Sequence, residues 1–152
     1  DPSLKFYREE QTKEFLFAGL GQTHIDVTLE KIKRKYKLEV DLREPKIPYR
    51  ETIRGSADVQ GKYKKQTGGR GQYGDCHMRV SPLPRGEGFK FVNSVVGGVI
   101  PKQYIPAIEK GVVEAMEHGE LTGNPVQDVQ VDVYFGSYHA VDSSEMAFKM
   151  AG

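Results

Sequence analysis

Two periods of hydrophobic spacing and one proline-rich break mark this 152-residue chain as an α+β protein in two unequal parts. Apolar and polar residues alternate around 38–42, 76–80 and 128–135, as in half-buried strands. Apolar residues recur every three or four positions at 25–36 and 105–116, as on one face of a helix. The segment REPKIP, Arg43 to Pro48, interrupts both patterns.

In chain order, Leu4 to Arg8 and Phe15 to Ala18 read as two strands joined by the polar turn Glu9 to Lys13. A helix is expected from Thr23, because Thr23-x-x-Asp26 has the form of a capping box and Ile25, Leu29, Ile32 and Tyr36 stack on one face. Leu38, Val40 and Leu42 alternate with charged residues and predict another strand. Three strands and one helix in about 44 residues bury little surface, so the opening unit reads as part of a larger domain.

After the break, Tyr49, Glu51 and Ile53 predict a strand, followed by the basic, glycine-rich segment KYKKQTGGRGQYG, Lys62 to Gly74. Cys76, Met78 and Val80 then alternate with His77, Arg79 and Ser81, Pro82 to Gly88 reads as a turn, and Phe89 and Phe91 begin a further strand. Pro101 or Pro106 opens a helix whose apolar face, Ile105, Ile108, Val112 and Met116, ends at His118-Gly119. Asp128 to Phe135 has the cleanest strand pattern. Gly136 to Val141 reads as a loop, and Asp142-x-x-Glu145 as the cap of a short helix with Met146 and Met150 on its apolar face. That helix reads as cut short at Gly152, so both chain ends are expected to lie inside longer domains.

Hydrophobic content of 38% and aromatic content of 10% place the chain among core-forming proteins rather than disordered tails. No apolar run approaches the roughly 20 residues of a membrane helix. The start, DPSLKFYREE, lacks the apolar centre of a signal peptide. Cys76 is the single cysteine, which excludes an intrachain disulfide and suits a reducing, cytoplasmic setting. Net charge is only +1, yet residues 46–90 carry ten Lys/Arg against four acids, while residues 91–152 carry three against eight. A basic middle third centred on the glycine segment points to a polyanion partner, or to a solvated basic face.

Gly69-x-Gly71-x-x-Gly74 has the bare form of a dinucleotide loop, but that chemistry needs a helix after the glycines and here a strand follows. The companion motifs of a kinase glycine loop are absent, as is the Walker pattern. What remains is a glycine-rich tip between strands, which lets backbone approach a partner while Lys62, Lys64, Lys65 and Arg70 supply charge. Tyr63 and Tyr73 either stack on unpaired bases or cover the edge of the core. Gly136 to Glu145, GSYHAVDSSE, contains Ser, His and Asp, but triad members come from separate parts of a chain. Asp142, Ser143 and Ser144 read better as caps, leaving His139 exposed on the loop. His24, His77, His118 and His139 lack metal-ligand spacing, so no structural zinc is expected, and Cys76 falls on the apolar side of its strand.

Four segments together carry a resemblance: YRETIR (49–54), KQTGGRGQYG (65–74), GGVIPKQYIPAIEKG (97–111) and FGSYHAVDSSEMAFK (135–149). They resemble the fourth domain of elongation factor G, and FLFAGLGQTHIDVTLEKIKRKYKLEV (15–40) resembles the second half of its third. The resemblance implies that 1–44 is the C-terminal half of a ferredoxin-like sandwich and that 45–152 is a truncated ribosomal protein S5 domain 2-like α/β domain. It also implies a non-catalytic, cytoplasmic, monomeric part of a translational GTPase, with GTP and Mg bound by a domain this chain lacks and no cofactor or membrane partner of its own. The implied partners are the ribosome, small-subunit rRNA, A-site and P-site tRNA and mRNA, met by two tip loops during translocation.

By resemblance, the first tip loop comprises Lys64, Lys65, Gln66, Thr67, Gly68, Gly69, Arg70, Gly71, Gln72 and Tyr73. The second comprises Ser137, Tyr138, His139, Ala140, Val141, Asp142, Ser143 and Ser144, with His139 at the family's tip histidine. Three departures from the family pattern also fit a paralogue acting in ribosome recycling or protection. Ala140 stands where aspartate is usual, Thr67 replaces serine, and Asp75-Cys76 replaces His-Val.

Overall fold

A computed structural model describes residues 1–66 and 68–152. The chain divides into two compact units, Asp1–Pro48 and Tyr49–Gly152. The α+β expectation holds in both.

In the first unit, β1 (Lys5–Arg8) and β2 (Phe15–Ala18) form an antiparallel hairpin, and Glu9 N–H donates to the Glu14 carbonyl at 2.8 Å across its base. Helix α1 (Gln22–Tyr36) follows. The expected capping box does not form: Gly21 is the N-cap, Thr23 lies inside the helix, and Gln22 Nε2 instead donates to Asp26 Oδ1 at 2.8 Å. His24 Nδ1 accepts the Leu20 N–H at 3.2 Å, so a ring nitrogen serves the strand-to-helix turn. No residue of α1 is fully buried, in keeping with so small a unit.

The strand expected at 38–42 is also absent. Leu38, Val40 and Leu42 are exposed, and no described strand pairs with them. Alternation gives a segment one apolar side, but a strand also needs a neighbour to accept and donate its ladder bonds.

The second unit is one sheet with helices on one face. Its strands are β3 (Ala57–Lys65), β4 (Gln72–Pro82), β5 (Phe89–Asn93) and β6 (Val129–Ser137), in the spatial order β3-β4-β6-β5. The β3/β4 and β4/β6 pairs are antiparallel, whereas β5 and β6 are parallel and connected through helix α2 (Ile105–Met116). A 3₁₀ turn at Lys102–Tyr104 leads into α2, so Pro101 caps the turn and Pro106 occupies the first turn of the helix proper.

Two sequence expectations shift here. Tyr49 to Ile53 makes a single bridge, Glu51 to Val126, rather than a strand. The neighbouring strand is instead β3, whose sequence ADVQGKYKK has too weak an alternation to announce itself.

The core lies between sheet and helices. Cys76, Met78, Val129, Val131 and Val133 point from β4 and β6 toward Ile105, Ile108 and Val112 of α2 and Phe148 of helix α3 (Glu145–Ala151). Met146 and Met150, expected on the buried side of α3, are exposed. The helix buries Ala147, Phe148 and Ala151 instead. Phe148 stacks on Tyr104 with ring centroids 4.8 Å apart. Burial, with Asp75 beside it, pushes the Cys76 thiol up to about 12.

Close approach explains why α3 buries small residues. A Cβ on Gly74 would stand 2.5 Å from the Ala147 carbonyl, and one on Gly61 would overlap that of Ala151. Glycines thus open a seat on β3 and β4 into which the backbone of α3 settles.

Asp128 performs a separate task at the far end of β6. Buried, and with φ of 59°, it accepts N–H donors from Gly86 at 3.1 Å and Gly88 at 2.8 Å through Oδ1, which closes the β4–β5 turn. The Gly88 and Gly86 donors, in that order, hold its carboxyl below the usual range.

Two outcomes follow from this packing. Gly74→Ala should lower stability in urea denaturation by about 1–3 kcal/mol, because the added methyl meets backbone rather than a movable side chain. Asp128→Asn tests the pH linkage. A carboxyl lowered on folding adds stability above its unfolded value and loses it as pH falls through the folded one. The variant should therefore be less stable at pH 7, and its acid-unfolding curve should fall less steeply below about pH 4.

Candidate nucleic-acid interface

The end of the sheet formed by the β3–β4 connection and the β6–α3 connection gathers nearly all of the expected site residues. Lys64 and Lys65 close β3, in register with Tyr73 and Gln72 at the start of β4. Both lysines are exposed, as are Gln66, Gly68, Gly69, Arg70 and Gln72. Thr67 lies outside the described residues. The second loop leaves β6 at Ser137 and presents Tyr138, His139, Ala140 and Val141 to solvent.

Seventy residues apart in sequence, the two loops are bonded to each other. Arg70 Nε donates to the Val141 carbonyl at 2.9 Å, and the Gly71 N–H donates to Asp142 Oδ1 at 3.0 Å. The Tyr73 N–H donates to the Asp142 carbonyl at 2.9 Å, and Ser143 Oγ donates to the Tyr73 carbonyl at 2.9 Å. Tyr73 and Ser143 thereby form a short parallel bridge. Gly71 and Ser143 are buried inside this junction, so they hold the loops while their neighbours face outward.

The second loop is also braced from within. Ser143 N–H donates to the His139 carbonyl at 3.0 Å, and His139 N–H donates to Ser143 Oγ at 2.8 Å. His139 Nδ1 accepts the N–H groups of Val141 and Asp142, each at 3.3 Å. In the neutral ring this places the proton on Nε2, on a side chain that is 58% exposed. Asp142 Oδ2 lies 3.6 Å from the same Nδ1, so a protonated ring has a carboxylate to turn to. With Nδ1 taken by backbone donors, the neutral ring has only a donor to offer, and among the described residues no serine hydroxyl meets the ring.

Asp142, expected to cap α3, does not. Of the three residues read as caps, Ser144 is the one that caps the helix, its Oγ accepting the Ala147 N–H at 3.2 Å, which frees the Asp142 carboxylate for Gly71. A second set of bonds, joining the expected Tyr73 and Ser137 to Asp75 and Gln60, is not visible in the sequence. Tyr73 OH meets Ser137 Oγ at 2.8 Å, Ser137 Oγ donates to Asp75 Oδ2 at 2.7 Å, and Gln60 Nε2 donates to Asp75 Oδ1 at 2.7 Å. The buried Asp75 carboxylate is therefore met on both oxygens. Its signal in sequence is slight: a lone acid on the polar side of a strand looks solvated.

The two tyrosines have different surroundings. Tyr63 packs against the core cluster, so it covers the edge of the core. Tyr73 is half-buried with Lys62 Nζ 5.9 Å above its ring, and its hydroxyl belongs to the Asp75 chain.

Charge at this end is lopsided. Lys64, Lys65 and Arg70 are exposed cations, while Asp142 is bonded to Gly71 and Asp75 is enclosed. A groove of about 570 Å³ lies elsewhere, between α2 and the sheet, with Ile53, Met78, Val112 and Val131 in its apolar lining.

If Asp142 latches the loops, Asp142→Ala should speed hydrogen exchange of the Gly71 amide by roughly tenfold or more while α3 stays folded. Ser144→Ala should instead cost about 1 kcal/mol of stability and leave Gly71 exchange relative to global unfolding unchanged.

Comparison with known proteins supplies the family. Residues 45–152 match the model of elongation factor G, domain IV, and residues 1–44 match that of elongation factor G, domain III. A crystal structure from Thermus thermophilus superposes with a TM-score of 0.85 at 49% identity, covering 99% of this chain and 22% of that one. The chain thus spans under a quarter of that relative's length, and both family models concern domains other than a GTPase domain. With both parts of the sequence matched, and the fold matched with them, this chain belongs to the elongation factor G family and joins domain III sequence to domain IV.

Proposed function

We propose that the joined loops form an RNA-facing tip that enters the decoding region of the small ribosomal subunit and contacts tRNA and mRNA there during translocation. The observation that carries this reading is the bond between Arg70 and the Val141 carbonyl, which keeps the basic loop and His139 at one extremity. Phosphate contacts need cations and accessible backbone more than base-specific side chains, and Lys64, Lys65, Arg70 and the exposed Gly68–Gly69 backbone offer both. Tyr138, 49% exposed, and the exposed His139 ring add surfaces that stack on or donate to unstacked bases.

In this reading the tip occupies space that a tRNA vacates and hinders its return. The chain acts by position, and GTP hydrolysis belongs to another domain of the intact factor. Its partners are small-subunit rRNA, tRNA and mRNA, and its setting is the cytoplasm. Ala140, exposed beside His139, favours a second reading in which the same tip serves a paralogue in ribosome recycling or protection, since an acidic side chain is missing from the contact surface.

Two measurements test the proposal. In the intact factor, His139→Ala should slow translocation by roughly tenfold or more while leaving ribosome-stimulated GTP hydrolysis nearly unchanged. Equal losses in both rates would remove the role given to the loop. For RNA bound by this chain, replacing Lys64, Lys65 and Arg70 with alanine should flatten the slope of log K against log salt by about 2, given about 0.7 per phosphate contact on single strands. An unchanged slope would mean that these cations do not meet phosphate.

A further inference from the structure

Within the second unit, no described element packs over the face of the sheet opposite the helices, and its composition is unusual. Side chains that alternate with the core residues of β3, β4 and β6 point there: Lys62 and Lys64, then Tyr73, His77 and Arg79, then Tyr134 and Phe135. Two adjacent residues of β6 share this face because the β4/β6 register shifts between His77 and Met78. The bulge inserts one residue, so Phe135 stays opposite His77 while Val133 stays in the core opposite Met78.

The result is an aromatic cluster on an open surface. The His77 ring lies 5.4 Å from Phe135 and 6.2 Å from Tyr134, and the Arg79 guanidinium lies 5.2 Å from the Tyr134 centroid. Phe135 nevertheless remains 49% exposed. A mid-strand phenylalanine half open to water, placed there by a bulge, is costly unless something covers it.

Charge narrows the choice of partner. Near Phe135 and toward the tip, the outward charges are Lys62 and Lys64, because Asp75 is buried and bonded to Gln60 and Ser137. Farther from the tip the face is balanced, two acids against two cations: Asp58 pairs with Arg79 at 3.5 Å, Asp132 lies in register with Arg79, and Lys90 of β5 lies beside Gln130. The half of the face that carries Phe135 therefore attracts anions and the other half does not. Phe135 also stands two residues before Ser137, where the second tip loop begins, so this surface continues the tip along the sheet.

We infer that Phe135, with His77 and Tyr134 beside it and Lys62 and Lys64 at its edge, is a stacking platform for unpaired RNA bases, extending the RNA-facing tip onto the open sheet. The inference rests on the RNA reading of the tip. An aromatic face takes the base of any nucleotide, while ammonium groups alongside take the phosphates. The platform therefore binds single-stranded RNA with little sequence preference.

The test is binding of this chain to a labelled oligouridylate of about ten nucleotides, followed by fluorescence anisotropy. Phe135→Ala and Phe135→Leu should each raise Kd roughly tenfold, because stacking on one aromatic ring is lost in both. Phe135→Leu keeps an apolar side chain of similar bulk, so a loss seen with it comes from the ring rather than from the fold. Arg70→Ala, run in parallel, reports on the tip. A Kd within twofold of the parent for both Phe135 variants, alongside weakening by Arg70→Ala, would overturn the platform and leave the tip standing. Weakening by the Phe135 variants alone would support the platform against the tip, and absence of binding by the parent chain would overturn both. A photoreactive phenylalanine analogue at position 135, irradiated with small ribosomal subunits, should cross-link to RNA, and adducts confined to ribosomal protein would refute the inference.

Discussion

Everything at the tip depends on how closely α3 lies against the sheet. Its backbone settles where Gly61 and Gly74 carry no side chain, and Gly111 of α2 makes the same allowance on the other side, where a Cβ would overlap the Lys149 carbonyl. A helix of seven residues has little stability of its own. Tertiary contact therefore fixes it, and the burial of Ala147, Phe148 and Ala151 provides that contact. Because the second loop runs directly from β6 into α3, seating the helix also carries the loop to the first one. The cross-loop bonds of Arg70, Gly71 and Tyr73 then set the final geometry.

This arrangement separates holding from contacting. Asp142, Ser143, Gly71 and Asp75 spend their polar groups on one another or on backbone, and they are buried or partly so. Arg70 joins both classes, since its Nε is bonded to loop backbone while the residue as a whole is exposed. Lys64, Lys65, Tyr138 and His139 face water. If the tip presses against a polyanion, as we propose, it must resist collapse onto its own carboxylates, and satisfying those carboxylates internally limits that competition. Sheet and tip then act together, with a firm scaffold beneath a surface rich in backbone and positive charge.

Much of this can be read from residue order alone, and the exceptions have physical causes. β4, β5, β6 and α2 declare themselves because their apolar positions follow one period and face one core. β3 does not, since Gly61 stands where an apolar residue would mark the inner face and α3 supplies the missing contact. Leu38 to Leu42 mislead for the opposite reason: alternation is present without a partner strand. Local rules also misassign caps, because Thr23 and Asp142 fit the motif while Gly21 and Ser144 fit the backbone. The tip residues are legible through glycine, cation and family pattern, whereas the Asp75–Ser137–Tyr73 chain and the bulge that exposes Phe135 arise from strand register, which adjacent residues do not encode.

We propose that two loops distant in sequence behave as a single RNA-binding surface. A titration of the ¹⁵N-labelled chain with a short RNA hairpin, followed by amide chemical shifts, tests that unity. Amides of 68–73 and 137–143 should shift together along one isotherm with a common Kd. Separate isotherms for the two loops, or shifts in one loop while the other stays still, would contradict it.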